Sequence, residues 1–240
     1  MKALICGCIW IKKFRWRCVR FKEKNCQRVH CITFYNAIGM SLEDPNGRES
    51  TTDSARSAVP RQSDMDVFAD KIAAILKGRG HTVAVCEATS GGLITASLQG
   101  VSGASEFYNG TLLLYTRAAY RNLPKELRRK IIANYRDPEF GSEEYRHSKL
   151  TFVLEMANYA RDFFGATYGL AESGATESSS LGSRLQPAGA FTAVGIAGPS
   201  GCRAVLYDSP TKEKRRENMR RYGSHALETF LASLRDTARL

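Results

Sequence analysis

A strand–loop–helix unit over residues 83–98 constrains the fold of this chain more than any other stretch. The apolar run V-A-V-C ends at Glu87, two hydroxyl residues and two glycines follow, and a helical pattern starts at Leu93. Glycines let backbone N–H groups approach a ligand closely, and a helix N-terminus attracts an anion such as a phosphate or a developing oxyanion. The unit therefore predicts an α/β arrangement with a candidate site where the strand ends.

The two hydroxyls of this unit admit two interpretations. Thr89 or Ser90 can cap the following helix, or one of them can act as a nucleophile, which requires a base to take its proton. The stretch contains neither G-x-x-x-x-G-K-[ST] nor G-x-G-x-x-G, the two common phosphate-binding patterns. On its own, the unit leaves the structural and the functional interpretation equally open.

Strand and helix patterns alternate along the rest of the chain. Short apolar and β-branched runs predict strands over 81–86, 111–116, 168–171, 191–194 and 204–207. Apolar residues at helical spacing predict a first helix that begins near Asp64, and further helices over 124–135, 148–164 and 214–236. We therefore predict an α/β fold, a single three-layer α/β/α domain over residues 64–240.

The positive charge lies mainly outside that domain. The 240 residues include 35 Lys and Arg and 24 Asp and Glu, which gives a formal net charge of +11. Nine of the basic residues but a single acid, Glu23, fall within residues 1–40. The total charge first indicates a nucleic-acid partner, but this distribution argues against one.

Residues 1–63 are predicted to form a basic, disordered extension and linker. Residues 41–64 are polar and rich in turn-forming residues, with almost no large apolar side chain. Three alternatives for the basic segment stay open: an organellar presequence, a functional basic arm, or an incorrectly assigned start with Met40 or Met65 as the true initiator. We expect a cytoplasmic location, with organellar targeting as the alternative. No apolar run reaches the ~18–20 residues that a membrane span needs, so we expect no membrane partner.

Cysteine usage indicates reduced thiols. Five of the seven cysteines fall within the first 40 residues, and an odd total does not suit a disulfide framework. Their spacing lacks the paired pattern of a zinc site. We predict no metal and no cofactor.

Seven motifs in order resemble the CinA C-terminal domain family. The E-A-T-S-G-G segment from Glu87, with Gly103 and Tyr108 downstream, is similar to the E-S-C-T-G-G of bacterial members, which are nicotinamide mononucleotide deamidases. L-Y-T-R-A-A-Y (114–120) matches the family's Y-S-N-E-A-K block, and S-E-E (142–144) and E-M-A (155–157) match the start and the body of its S-E-E-T helix. A-T-Y-G-L-A-E-S-G (166–174) matches the strand before the T-G-I-A-G-P loop, and P-A-G-A (187–190) matches P-V-G-T. The closing helix matches the R-x-x-x-R pattern. The similarity spans roughly residues 66–236 and implies the family's three-layer fold.

Two departures from the family pattern affect the implied chemistry. Ala88 replaces the first hydroxyl of E-S-C-T-G-G, and Tyr120 replaces the lysine that the family would use to activate a hydroxyl. A phenol with a reference pKa of ~10 is a poor base, and the neighbouring Arg117 and Arg121 do not deprotonate in proteins. We interpret the literal G-I-A-G-P over 195–199 as a chance repeat. The pattern is closer to the plant and fungal branch, which has E-T-S-x-G-G-L and L-Y-T without the lysine.

The resemblance implies an amidohydrolase that acts on the carboxamide of a pyridine nucleotide, such as nicotinamide mononucleotide, and releases ammonia. Ser90 is the predicted nucleophile, with Thr89 and Tyr120 as further catalytic candidates. The predicted substrate-binding residues are Glu87, Gly91, Gly92, Tyr115, Ser173, Gly174 and Arg221. In this hypothesis N–H groups around the two glycines stabilise the oxyanion, an arginine holds the phosphate, and Glu172 is a candidate lining residue.

The missing lysine and Ala88 support a different hypothesis. Here the chain is a catalytically impaired family member that acts as a nucleotide-binding or protein-interaction module. In both hypotheses the predicted partner is a small-molecule nucleotide, and a homo-oligomer stays open.

Overall fold

The computed structural model describes residues 59–116, 118–134, 142–176, 190–209 and 214–236. The predicted disordered extension covers residues 1–63, and residues 1–58 of it lie outside the described part of the chain. The described part begins just before the first helix, which starts two residues earlier than predicted.

The described residues form five helices and five strands, which alternate up to the second strand and are then followed by two helices, three strands and a final helix. The helices are α1 (Gln62–Arg79), α2 (Leu93–Gln99), α3 (Lys125–Asn134), α4 (Glu143–Phe164) and α5 (Arg215–Asp236). The strands are β1 (Val83–Glu87), β2 (Tyr108–Leu113), β3 (Tyr168–Ala175), β4 (Phe191–Gly198) and β5 (Gly201–Asp208). Two short 3₁₀ turns, Ala104–Glu106 and Ala119–Asn122, lie on either side of β2. None of the described helices is long and apolar enough to cross a membrane.

The strands form one mixed sheet in the order β2-β1-β3-β4-β5. β1 pairs in parallel with both β2 and β3, whereas β3–β4 and β4–β5 are antiparallel pairs. The carboxyl ends of β1, β2 and β3 therefore meet at one edge of the sheet, where open α/β sheets bind their ligands.

Helices cover both faces of the sheet, which confirms the predicted three-layer α/β/α fold. α1, α2 and α5 pack on one face around a core that includes Ile72, Leu98 and Phe230, and we call this the α5 face. α3 and α4 pack on the other face around Leu127, Val153 and Met156, and we call this the α4 face. Burial of these two apolar layers is the main stabilising contribution to such a domain.

Glycine positions on β3 and β4 set how closely α4 approaches the sheet. A Cβ at Gly169 would lie 1.8 Å from the carbonyl oxygen of Ala157, and a Cβ at Gly195 would lie 2.5 Å from that of Val153. Both distances are too short for any side chain, so the backbone of α4 rests directly on the sheet at these two points.

Several element boundaries differ from the sequence predictions: β3 and β4 end four residues later than predicted and β5 begins three residues earlier, and two further differences concern β2 and α4. β2 begins at Tyr108 and ends at Leu113, whereas the apolar run predicted a strand over 111–116. The strand includes Gly110, whose φ is 146°, next to an irregularity in the pairing with β1. α4 begins five residues before the predicted helix, because the Oγ of Ser142 caps it by accepting the N–H of Tyr145 at 3.1 Å.

Candidate functional site

Two glutamates lie side by side near the carboxyl edge of the sheet, one at the end of β1 and the other three residues before the end of β3. Glu87 is the last residue of β1, and Glu172 on β3 follows directly after Ala171, which pairs with Cys86 of β1. Their exposed fractions are 0 and 1%. Carboxylates that are so deeply buried need hydrogen-bond donors, and neighbouring N–H and hydroxyl groups supply them.

Glu87 caps helix α2 with its carboxylate. Its Oε2 accepts the N–H groups of Gly92 at 2.9 Å and Ile94 at 3.2 Å, and its Oε1 accepts the N–H of Thr95 at 2.6 Å as well as its hydroxyl. The capping position itself is Gly92, which has no side chain. The interpretation that Thr89 or Ser90 caps α2 is therefore wrong, because a carboxylate five residues upstream satisfies the same groups.

Glu172 accepts hydrogen bonds from two segments of the chain, the loop after β1 and strand β4. The hydroxyl of Thr89 donates to Oε1, the hydroxyl of Thr192 on β4 donates to Oε1 at 2.7 Å, and the N–H of Ser90 donates to Oε2 at 2.8 Å. The two hydroxyl contacts join the loop after β1 to strand β4. Glu172 thus holds this loop against the sheet.

Ser90 lies between the two carboxylates. Its Oγ is 2.8 Å from Oε2 of Glu87 and 2.8 Å from Oε2 of Glu172, and the residue is 0% exposed. A hydroxyl has one proton, so Ser90 donates to one of these carboxylates at a time. We call the group of Glu87, Thr89, Ser90, Glu172 and Thr192 the carboxylate cluster.

One of the predicted oxyanion donors already contacts the carboxylate cluster. The N–H of Gly92 donates to Glu87, so it already has a partner. Gly91 and Gly92 have φ values of 68° and 97°, which explains why the turn contains glycine. A Cβ at Gly91 would also lie 2.6 Å from Cε of Met219 on α5. The Gly-Gly pair therefore has a structural reason that is independent of any ligand.

Tyr120 is committed to a backbone contact. Its hydroxyl donates to the carbonyl of Leu114 at 3.1 Å, and its ring packs edge-on against Phe152. Burial, assisted by the negative charge of Glu172 among other groups, raises the pKa of Tyr120. A raised pKa favours the protonated phenol at neutral pH, which does not favour Tyr120 as a base.

A second buried serine lies on the α4 face of the sheet. Ser173 on β3 is 1% exposed, and Nζ of Lys149 on α4 donates to its Oγ at 3.0 Å. Lys149 is 6% exposed. Sequence reasoning missed this lysine. It lies four residues before Val153, so extending the apolar face of α4 by one turn would have found it.

An aromatic and cationic surface lies at the rim of the same edge. Arg215, in the first turn of α5, donates to the hydroxyl of Thr176 at 2.8 Å and to that of Tyr115 at 2.5 Å. Its guanidinium carbon lies 5.4 Å from the centroid of the Tyr115 ring. Tyr115 is 54% exposed, and we call this trio the rim.

Two more of the predicted binding residues, Arg221 and Gly174, are packed within the fold. Arg221, the predicted phosphate ligand, is 3% exposed on α5. A Cβ at Gly174 would lie 2.0 Å from the carbonyl oxygen of Phe191, so close strand pairing explains this glycine. Within the described ranges, no group of three or more His, Cys, Asp and Glu is arranged to hold a metal. The roles assigned to these residues, and to Ser90, Thr89 and Tyr120, stay predictions.

Comparisons with known proteins agree on one family. The family model described as the CinA C-terminal domain matches residues 65–234. A "CinA-like protein" from Desulfosudis oleivorans is 30% identical over 206 residues, which is 82% of this chain and 46% of that protein. Another from Acaryochloris marina is 28% identical over 71% of this chain and 38% of that protein. This chain therefore spans less than half the length of these relatives.

Solved structures share the fold. A competence damage-inducible protein A from Klebsiella pneumoniae has a TM-score of 0.57 at 18% identity, covering 71% of this chain and 96% of that chain. A competence/damage inducible protein from Agrobacterium tumefaciens has a TM-score of 0.56 at 21% identity, covering 73% and 98%. Identities at this level support the fold and nothing finer.

Proposed function

The chain belongs to the CinA C-terminal domain family, and from that premise we propose that it binds a small phosphorylated nucleotide without using Ser90 as a nucleophile. The ligand would lie at the carboxyl edge of β1, β2 and β3, against the rim. The carboxylate cluster would hold the loop after β1 in shape below it.

The surroundings of Ser90 carry this proposal. Its hydroxyl contacts two carboxylates, and the N-terminus of α2 already binds the carboxylate of Glu87. An incoming anion at that helix end would have to displace a buried, fully bonded side chain, which costs several kcal/mol. These contacts therefore support a structural role for Ser90 in the E-A-T-S-G-G segment.

The rim supports the choice of ligand. The planar guanidinium of Arg215 matches a phosphate, and the half-exposed ring of Tyr115 offers a stacking surface to an aromatic base. Thr176 holds the guanidinium in place at 2.8 Å, which lowers the entropy lost on binding. A nucleotide with one phosphate, such as nicotinamide mononucleotide, combines both groups.

A second candidate function is hydrolysis of the carboxamide of that nucleotide. The resemblance to bacterial nicotinamide mononucleotide deamidases favours it, and so does the Lys149–Ser173 contact, which brings an amine to a hydroxyl. Membership of the plant and fungal branch belongs to the same proposal. It is supported by the E-A-T-S-G-G-L and L-Y-T segments, together with Tyr120 in place of the family lysine.

Thermal unfolding with nicotinamide mononucleotide, paired with an ammonia assay, tests both candidates. We expect the nucleotide to raise the Tm of the wild type in a concentration-dependent way, and to raise that of Ser90→Ala by a similar increment. Arg215→Met should lose most of the increment, whereas Arg216→Met, which changes the exposed neighbouring arginine, should keep it. Absence of any increment in the folded wild type would reject the binding proposal for this ligand. Ammonia release that disappears in folded Ser90→Ala would instead assign the reaction to Ser90.

A further inference from the structure

We infer that Lys149 and Ser173 form a base–nucleophile pair for acyl hydrolysis on the α4 face of the sheet. The inference goes beyond nucleotide binding and takes from the proposed function only its substrate class, a carboxamide of a pyridine nucleotide. The pair itself is defined by residues that lie 24 positions apart in the chain and 3.0 Å apart in space.

Lys149 occupies a position of α4 that an apolar residue would normally fill. It lies on the face that packs on the sheet, one turn after Tyr145 and one turn before Val153, both buried. Its Nζ lies 5.4 Å from the centroid of the Tyr145 ring and 5.1 Å from that of Phe152. Lysine is almost never buried to this extent without a specific partner for its head group. The hydroxyl of Ser173 is such a partner.

Ser173 differs from Ser90 in what its hydroxyl can do. Ser90 contacts two carboxylates that are held by other donors, including three N–H groups for Glu87 alone. Ser173 contacts an amine, which in its neutral form accepts a proton from the hydroxyl along the same line. Amine bases activate hydroxyl nucleophiles in this way.

The reaction proceeds in two balanced steps. Oγ of Ser173 attacks the carboxamide carbon while neutral Lys149 takes the hydroxyl proton. The C–N bond then breaks, and the lysine ammonium protonates the leaving nitrogen, which departs as ammonia and leaves an ester on Ser173. Water attacks this ester, Lys149 takes a proton from the water, and Ser173 leaves with that proton. The net change is carboxamide plus water to carboxylic acid plus ammonia.

Access to the pair requires a local opening. Ser173 lies two residues before β3 ends at Ala175, and Lys149 lies in the second turn of α4. The pair is therefore at the end of both elements, whereas the centre of the α4 face is at Met156. Separation of the first turns of α4 from β3 exposes both groups without breaking that centre, and helix ends open at the lowest free-energy cost.

Covalent labelling of the full chain with phenylmethanesulfonyl fluoride tests the pair without a substrate. The Oγ of Ser173 forms a bond to sulfur, fluoride leaves with the S–F electron pair, and Lys149 takes the proton. We expect peptide mapping by mass spectrometry to find the label on Ser173. A label on Ser90 or Thr89 alone, or no label on Ser173 in the folded protein, would overturn the inference.

Substitutions at Lys149 separate a base from a structural contact. Lys149→Arg keeps the positive charge and the hydrogen-bond donors, but a guanidinium does not deprotonate in proteins. We expect it to lower the labelling rate of Ser173 by about 100-fold or more, which is the ordinary contribution of a general base. The matched control is Lys130→Met, which removes an exposed lysine that pairs with Glu155 at 3.4 Å and should leave the rate unchanged.

Two further results keep the inference independent of folding and of the proposed function. If Lys149→Arg unfolds, Lys149→Ala with added propylamine replaces it, and recovery of labelling by the amine identifies the base. Wild-type labelling rates in Lys149→Arg, or no recovery with propylamine, would overturn the pair. The Tm increment given by nicotinamide mononucleotide reports on binding alone, so a wild type that binds the nucleotide but is not labelled at Ser173 rejects this inference and leaves the proposed function standing.

Discussion

Each face of the sheet buries one serine near the carboxyl ends of β1 and β3, and the two serines have opposite surroundings. On the α5 face, Ser90 lies between two carboxylates and 2.8 Å from each. On the α4 face, Ser173 lies 3.0 Å from an amine. The sequence motif points to Ser90, but its hydrogen bonds to two carboxylates support the structural role that we propose for it. In the proposed function, the retained motif preserves the shape of the loop and not a reaction at Ser90.

The first prediction breaks the carboxylate cluster at the cap of α2. Glu87→Ala leaves three N–H groups and the hydroxyl of Thr95 without the carboxylate that accepts them, whereas the hydroxyl of Ser90 keeps Glu172 as an acceptor. We expect the free energy of unfolding in urea to fall by about 3–5 kcal/mol. Glu106→Ala is the control, since it removes an exposed carboxylate with one surface ion pair and should cost under ~1 kcal/mol. A loss below ~1 kcal/mol in Glu87→Ala would contradict the structural role of the cluster.

The second prediction concerns the α4 face, where a substitution on β3 should push α4 away from the sheet. A Cβ at Gly169 would lie 1.8 Å from the carbonyl of Ala157, so Gly169→Ala must displace α4. We expect a loss of about 2–3 kcal/mol, measured by urea unfolding. Gly78→Ala is the matched control, because nothing lies within 4 Å of its new Cβ and α1 should gain up to ~1 kcal/mol. Equal stability of both variants would show that α4 does not rest on the sheet as described.

The third prediction concerns the pH dependence of stability, which we attribute to His225, a partly exposed residue of α5. His225 stacks on Tyr207 with ring centroids 4.2 Å apart, and its burial lowers its pKa to about 4. In the unfolded chain His225 has an ordinary pKa of ~6.5. Between this pH and about 4, the unfolded chain therefore binds a proton that the folded chain does not bind. Stability from this group is complete above pH ~6.5 and is lost as the pH falls toward 4, by about 1–3 kcal/mol.

Urea unfolding at several pH values checks this assignment. His225→Gln should flatten the stability profile between pH 6.5 and 4. If the substitution leaves the slope unchanged, the acid sensitivity arises elsewhere, and the carboxylate cluster becomes the next group to test.

The fourth prediction has the smallest energetic effect and concerns the rim. Tyr115→Ala removes a half-exposed ring that makes one hydrogen bond and one cation–π contact to Arg215. We expect nicotinamide mononucleotide to bind about 5–10-fold more weakly by calorimetry, with stability changed by less than ~0.5 kcal/mol. Leu113→Ala, which truncates another exposed apolar residue, is the control and should bind as the wild type. Unchanged binding in Tyr115→Ala would remove the ring from the proposed site.

Local patterns were enough to predict the layers of the fold. Alternating strand and helix patterns gave the three-layer arrangement, because each pattern depends on residues close in sequence. The start of β2 was missed, since Tyr108-Asn-Gly resembles a turn, and only pairing with β1 extends it. Apolar periodicity alone started α4 too late, at 148, whereas the resemblance of S-E-E (142–144) to the S-E-E-T helix pointed to the segment where Ser142 caps α4.

The site was less predictable because its contacts join distant segments. The partners of Ser90 include Glu172, which is 82 positions away, so burial of the serine does not follow from the motif around it. Arg221 and Arg215 lie on one helix, and only the docking of α5 buries the first and brings the second to Tyr115. Lys149 was visible in principle, as a charged residue on the extended apolar face of α4.

Isothermal titration of nicotinamide mononucleotide into Ser90→Ala and Arg215→Met tests the central claim most directly. Ser90→Ala should bind with a Kd within about threefold of the wild type, and Arg215→Met should bind at least tenfold more weakly, about 1.4 kcal/mol. Folding of both variants is checked by their unfolding transitions. Binding that is lost in folded Ser90→Ala and kept in Arg215→Met would contradict the account, because it would return the ligand to the E-A-T-S-G-G loop.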